Sequence, residues 1–524
     1  MVSLFLISSG LRFWGLGRFN TLVFDEVYYA KFANDYLTQT PFFNAHPPLA
    51  QYLIAIGIWL GSHLPFGQET VNDLTGSTLS TWSYRWFNAL FGSGIPLLVG
   101  AIAYQLTRRP SYSLITTFLM ILEGLFLVES RYALSNVYIV FFGLLAQLWF
   151  LMALPQNPGK RWGFLGLAGI CFGATIAVKW NGLGFLLGID LLLAWAWILR
   201  LINKPIFRPV PPIPLASTSE PVPDSVRSQF SPLQQLTTLT PVQCGVSLGI
   251  LPLITYFLLW LPHLQLNPEP GLWQVQGAII NFHRQLGHGA EVHPYCAAWY
   301  TWPLMLRPAA YFYKKLDEST RAILPASADL KKSLLYSVHG MGNPVLWWLS
   351  VIALVLLVGT VIIYGWKIYR AKVEGSHALQ RSSDSGDFGN RFREFSREHS
   401  VNSSGDRGDL ERQGLNRQIR SLDLGEFWLL LYIGTNWSAN FLPWTQITRC
   451  VFLYHYMGAL IFAVMALGWW VEKWVSHDQI WFKVMGIILI FMVTIAFIFW
   501  LPIYLGLPIN PQAWQARMWF QSWI

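Results

Sequence analysis

Asp25 and Glu26 stand side by side in FDEVYYAKFANDYLTQTPFFNAHPPLAQ, residues 24–51. A carboxylate can take a proton from an attacking hydroxyl, while arginine and lysine can bind a phosphate and stabilise its charge as it leaves. The chain offers such cations in Arg85, Arg131, Lys179 and Arg449, and further carboxylates in Glu123 and Glu129. Each has a plainer alternative. A cation can snorkel to lipid headgroups or pair with an acid for helix packing, and Asp25 can cap the helix predicted to begin at VYYAKFA.

The elements that must hold these groups are membrane helices. With 524 residues, 53% hydrophobic and only 12% charged, and a mean hydropathy of +0.39, the chain has more apolar surface than one soluble core needs. The 27 Trp and 21 Tyr suit the boundary between hydrocarbon and water. A helix needs about 20 residues to cross a bilayer. Apolar runs predict eleven spans: 1–18, 85–107, 112–129, 133–154, 162–179, 182–202, 244–262, 344–366, 426–440, 450–471 and 484–505. The run 49–64 is shorter and is expected on the membrane surface. The first span contains Arg12 and no A-x-A-like cleavage site, so it is not read as a signal peptide, and its shortness allows a start further upstream.

Lys and Arg set the orientation. With a cytoplasmic N-terminus, the inside loops receive Arg108-Arg109, Lys160-Arg161, Arg200 to Arg208, Lys367 to Lys372, and Lys473 with Lys483. The net charge of +9 is therefore topology rather than a nucleic-acid footprint. Arg85, Arg131, Lys179 and Arg449 break that rule by sitting at outer span ends, on the side of Asp25 and Glu26. Ionisable groups at such depth usually face a cavity and a partner. One outward-facing site for a phosphate-bearing lipid, such as a lipid-linked sugar, fits this arrangement, and composition and spacing reach no further than that class.

The organisation expected is an N-terminal membrane region 1–202 with outer loop 19–84, and a Pro-rich inside loop 203–243. A membrane region 244–372 with outer loop 263–342 follows, then a Ser/Gly/Arg/Asp-rich insertion 373–424 and a C-terminal membrane region 425–524. Neither inside tract can bury enough surface to fold alone. The four cysteines show no metal spacing. This topology puts Cys296 and Cys450 on an oxidising side, which allows a disulfide between them without favouring it. The histidines of NFHRQLGHGAEVHPY recur every five residues, which does not keep them on one helix face, so zinc is not favoured. A phosphate-cradling Gly-rich loop is not found.

The motifs reach further. FDEVYYAKFANDYLTQTPFFNAHPPLAQYL resembles the first extracytoplasmic loop of the protein O-mannosyltransferase family. SYRWFNALFGS at 83–93, SRYAL at 130–134, AVKWNGL at 177–183, HPYCAAWYTWPLMLRP at 293–308, GNPVLWW at 342–348 and NFLPWTQITRCVFLYHY at 440–456 resemble its later motifs, in order. The resemblance implies an all-α integral membrane protein, a GT-C type helical bundle of about 11 spans whose outer loops carry short helices. It implies an inverting transfer of mannose from polyprenyl phosphate mannose to Ser or Thr hydroxyls of exported proteins, at the outer face of the plasma membrane, without a metal or other cofactor. Asp25 would be the general base and Glu26 would orient acceptor or sugar. Arg85, Arg131, Lys179 and Arg449 would meet the donor phosphate or buttress residues that do, and His46, Glu123, Asn136, Tyr454 and His455 would contact substrate.

Two departures stand out. Many family members carry an Asp five residues after the Ser-Arg arginine, where this chain has Asn136, and an Asp common in the third span is here Glu123. The loop 263–342 is too short for the β-trefoil domain of eukaryotic members, which points to the bacterial type. A GT-C enzyme that glycosylates a lipid or polysaccharide remains the near alternative and a lipid-linked sugar transporter the distant one. A transporter should show midplane charges and two related halves. A dimer is allowed by the sequence and not indicated by it.

Overall fold

The computed structural model describes residues 1–202, 232–287, 289, 291–325, 333–384 and 424–524. Most of the Pro-rich tract and of the polar insertion lies outside these residues. The N-terminal half runs α1 (Val2–Phe13), α2 (Glu26–Leu37), α3 (Leu49–Ser62), a hairpin β1 (Val71–Asn72) and β2 (Leu79–Ser80), then α4 (Trp86–Thr107), α5 (Pro110–Ile121), α6 (Gly124–Glu129), α7 (Asn136–Ala153), α8 (Pro158–Val178) and α9 (Leu183–Ile202). The C-terminal half contains a long helix α10 (Pro241–Leu266) and α11 (Leu272–Gln285), strands β3 (Ala309–Lys315) and β4 (Leu335–Gly340), and α12 (Pro344–Asp384). It closes with α13 (Leu424–Phe441), α14 (Met457–Val475), α15 (Ile480–Leu505) and β5 (Pro508–Ile509).

Among the described residues, eight helical segments are long and apolar enough to cross a membrane, at eight of the eleven expected places. The other three fall short for identifiable reasons. α1 and α5 have 12 residues each. The expected span 112–129 breaks at Glu123, whose extended backbone and carboxylate cap the backbone N–H of Phe126 and so start α6 anew. α13 has 18 residues but carries Thr435, Asn436, Ser438 and Asn440. Its polar groups face other helices. Gln147 of α7 donates to the Asn436 side chain at 2.6 Å and accepts from Tyr432 at 2.6 Å, a polar bridge between helices of the kind membranes favour. Close helix contacts rely on glycine. A Cβ on Gly188 of α9 would come within 2.0 Å of the Asn436 side chain, and one on Gly92 of α4 within 2.1 Å of Ser130.

The loops expected on the outer side hold more than short helices. β3, β4 and β5 form an antiparallel sheet in that order, with a register shift between Ala310 and Phe312, and β4 is buried along its length. The strand signal was missed because β4 (LYSVHG) is only six residues and its pairing partners lie far away in sequence. The run at 49–64 is a 14-residue helix packed on α2, too short to cross.

Candidate active site

The segment between α1 and α2 folds over one end of the bundle, fixed by two buried arginines. Arg131 donates to the carbonyls of Leu11, Arg12, Trp14 and Gly15 at 2.7–3.4 Å, so a cation closes the carbonyl end of α1. Arg85 spends all five N–H donors. It grips both oxygens of Glu26 at 2.8–2.9 Å and reaches the carbonyls of Leu16, Phe19 and Thr21 at 2.7–3.2 Å. Glu26 also accepts from the backbone of Val23 and Ala133, at 2.8 Å each. Both partners are fully buried, so the structure places Glu26 and Arg85 in a closed ion pair and leaves Arg85 no donor for a phosphate. This differs from the expected roles of both.

Asp25 differs from its neighbour. It occupies the N-cap position of α2, yet its side chain makes no cap hydrogen bond, and it forms no ion pair among the described residues. The preceding Phe24 adopts φ +54°, a left-handed conformation costly for a bulky residue, and its ring lies flat on Tyr311 at 4.0 Å and 4°. The Asp25 carboxylate takes no part in the Arg85 network. Burial lifts its carboxyl to about 6, with Lys179 pulling the other way.

Lys179 sits where the chain breaks between α8 and α9 in extended backbone. Its ammonium lies 5.5 Å from the Tyr29 ring and 5.6 Å from the Tyr454 ring, and donates to the Asn136 side chain at 3.3 Å. Asn136 in turn donates to Glu129 at 3.1 Å, and Glu129 accepts from the Tyr311 hydroxyl.

A cavity of about 810 Å³ opens beside Lys179. Its lining combines the polar His46, Lys179, His283, Arg284, Arg449 and His455 with the apolar Leu183, Leu186, Leu187, Ile279, Ile280 and Ile447. Asp190 of α9 is an acid on the same lining. A smaller chamber adjoins it, reaching Asn136 and Tyr454. His46 stacks near His283 at 5.2 Å, and His283 meets the Ala45 carbonyl at 3.0 Å. Burial and then Lys179 hold His46 well below the usual imidazole range, while burial and then Arg449 hold His283 down to about 4. Both rings are neutral at pH 7, so the positive charge of the cavity rests on Lys179, Arg284 and Arg449.

Arg449 reaches the lining from a loop that is tied down. Cys450 is bonded to Cys296, with Cα atoms 5.2 Å apart across 154 residues, and backbone hydrogen bonds Cys450 N–H to Gly287 and Ala297 N–H to Val451 flank the bridge at 2.7 Å each. The disulfide, which the sequence merely allowed, is present. Its two cysteines are too far apart in the chain for spacing to pair them.

The structure thus gathers His46, Lys179, Arg449 and His455 around one cavity, with Asn136 and Tyr454 in its annex. Asp25 joins neither lining and interacts with Lys179, which does, while Glu26, Arg85 and Arg131 serve as framework. Glu123 is fully buried at the start of α6 and joins neither cavity lining. Sequence reasoning did not single out Arg284, Asp190 or Asn440, and weighed His283 only between zinc and an ordinary loop or substrate contact. His283 and Arg284 lie on α11, where apolar residues at 272, 275, 279 and 280 carry the period of an amphipathic helix.

Comparison with known proteins gives a consistent picture. Residues 2–208 match the family model described as dolichyl-phosphate-mannose-protein mannosyltransferase. Residues 270–386 and 415–523 match the C-terminal four-transmembrane region of protein-O-mannosyltransferase. A Mycobacterium tuberculosis polyprenol-phosphate-mannose–protein mannosyltransferase is 22% identical, with 99% of this chain and 90% of that one aligned. The Mycolicibacterium smegmatis counterpart is 26% identical over 69% of each chain. Candida albicans dolichyl-phosphate-mannose–protein mannosyltransferase 1 is 34% identical across 34% of this chain, which is 21% of its own length. In fold, the chain is similar to the S. cerevisiae protein O-mannosyltransferase Pmt1-Pmt2 complex bound to the sugar donor, with TM-score 0.65 at 14% identity, covering 100% of this chain and 92% of that one.

Proposed function

The chain belongs to the protein O-mannosyltransferase family, a multi-pass membrane protein of GT-C type, and we propose that it moves mannose from a polyprenyl phosphate to Ser or Thr hydroxyls of proteins outside the cytoplasm. The observation that carries this reading is an Asp25 carboxylate that, among the described residues, has no ion-pair partner and interacts with Lys179, beside a cavity lined by both cationic and apolar side chains. An amphiphile with a phosphate head and an isoprenoid tail suits such a lining. The disulfide supports an extracytoplasmic site, because such bonds persist in oxidising compartments.

In this reading the acceptor oxygen attacks the anomeric carbon from the face opposite the phosphate. A new carbon–oxygen bond forms, the bond to the phosphate oxygen breaks, and the electron pair leaves with the phosphate. Asp25 takes the hydroxyl proton, and its carboxyl near 6 is ionised at neutral pH yet basic enough to accept it. Lys179 and Arg449 balance the phosphate charge as it develops. His46 and His455, lining the same cavity, face the sugar or the phosphate as neutral rings. Arg85, Arg131 and Glu26 act behind the site by fixing the segment that carries Asp25.

The test is transfer from synthetic polyprenyl phosphate mannose to a Ser/Thr-rich peptide, in membranes with the wild-type chain or a folded Asp25→Asn variant. Transfer lost in the variant alone supports the reading. Labelling of a lipid or glycan with no peptide labelled would remove the protein acceptor, and equal activity in both would remove Asp25 as the base.

A further inference from the structure

Glu129 is a carboxylate for which the mechanism above has no use. It ends α6, is fully buried, and has no cation within ion-pair distance among the described residues. A buried carboxylate in that condition is expensive, so what surrounds it must repay the cost. It has two side-chain partners, and each leads to the reaction centre. On one side, Asn136 donates to it at 3.1 Å while accepting from the Lys179 ammonium at 3.3 Å, so the amide dipole is oriented by opposite charges at its two ends. On the other side, the Tyr311 hydroxyl donates to it, and the Tyr311 ring is the platform on which Phe24 stacks. Phe24 holds the left-handed turn immediately before Asp25.

We propose that Glu129 is a positioning residue whose charge sets Lys179 through Asn136 and Asp25 through Tyr311 and Phe24, keeping base and phosphate cation in register. The two arms leave the same carboxylate by different oxygens, Oε2 to Asn136 and Oε1 to Tyr311, so neither can shift without loosening the other. This also gives Asn136 a reason to be an amide. An acid there would put two carboxylates in hydrogen-bond contact, whereas the amide donates to Glu129 and accepts from Lys179 at once. In this proposal the line requires one negative charge, and Glu129 is the residue placed to supply it.

The inference rests on the transferase reading and is tested by moving the charge. Glu129→Gln removes it, Asn136→Asp doubles it, and the double variant moves it one side chain towards Lys179. Each single substitution is expected to lower kcat/KM for the donor by at least about tenfold, and the double to recover to within about threefold of wild type, a coupling that loss of packing does not produce. A folded double variant no better than the worse single, or a fully active Glu129→Gln, would overturn the proposal. If Glu129→Gln fails to fold, the comparison of the double with Asn136→Asp decides. Tyr311→Phe keeps the charge but cuts the arm to Phe24, and is expected to lower kcat with donor KM unchanged; an unchanged kcat counts against that arm. Absence of transfer by the wild-type chain would instead sink the transferase reading itself.

Discussion

Glu26 accepts four hydrogen bonds, two from one guanidinium and two from backbone N–H groups, while Asp25 beside it makes no cap hydrogen bond and no ion pair among the described residues. The cations divide in the same way. Arg85 and Arg131 point their donors at backbone carbonyls and at Glu26, whereas Lys179 and Arg449 line a cavity and keep donors to offer. The difference teaches that in this bundle a charge belongs to the framework when it holds backbone carbonyls or a buried counter-charge, and to the site when it faces the cavity or the lysine that lines it. Each group holds one acid and at least one arginine, so charge sign does not distinguish them.

Substitutions can break that comparison. Asp25→Asn should show the largest effect, a loss of about 10²- to 10⁴-fold in transfer, the range of a general base. Because the native carboxylate is desolvated and unpaired, its removal should leave the thermal midpoint unchanged or raise it. A fall in the midpoint of the purified variant would return Asp25 to the framework. Arg85→Ala should do the reverse, costing about 3–5 kcal/mol of stability by leaving Glu26 buried and alone. Recovery of stable protein with only a donor-affinity defect would move Arg85 into the site. Lys179→Ala and Arg449→Ala come next, each removing a charged contact of about 1.5–3 kcal/mol and so raising the donor KM by roughly 10- to 100-fold while the chain stays folded. A drop in stability with unchanged KM would place them with Arg85.

The smallest effect is in pH. Asp25 faces Lys179, Glu129, Tyr311 and Tyr454, and its carboxyl is raised to about 6. The protonated acid cannot accept a proton, so kcat/KM should fall as pH drops through about 6 and level off above it. A profile flat down to pH 4.5 would contradict this, since the free enzyme's essential base would then lie elsewhere.

Much of this organisation was legible in the chain itself. Long apolar runs specify helices because lipid leaves backbone groups no other partner, and eight spans were found where they were expected. The four cations and the Asp-Glu pair were visible as charges at the wrong ends of spans. What was not visible is which member of each set is saturated. Arg85 meets Glu26 across 59 residues, and Arg131 meets Leu11 across 120, and no local pattern encodes either contact. Glu123 looked like a site residue because an acid is rare in an apolar run, but one of its oxygens caps the start of α6 and it joins neither cavity lining. The helix that carries His283 and Arg284 was hidden for the opposite reason. It is amphipathic and polar enough to read as loop when only spans are sought.

The bridge between Cys296 and Cys450 has a consequence for the order in which the molecule matures. Between the two cysteines the chain passes through α12 and α13, so the first thiol must wait until both have been threaded before its partner arrives. The loop bearing Arg449 is therefore among the last pieces to be fastened, and the cavity gains that cation only after most of the polypeptide is already in place. The covalent closure beside Arg449 is thus among the latest steps of assembly, made on a segment that two backbone hydrogen bonds already hold.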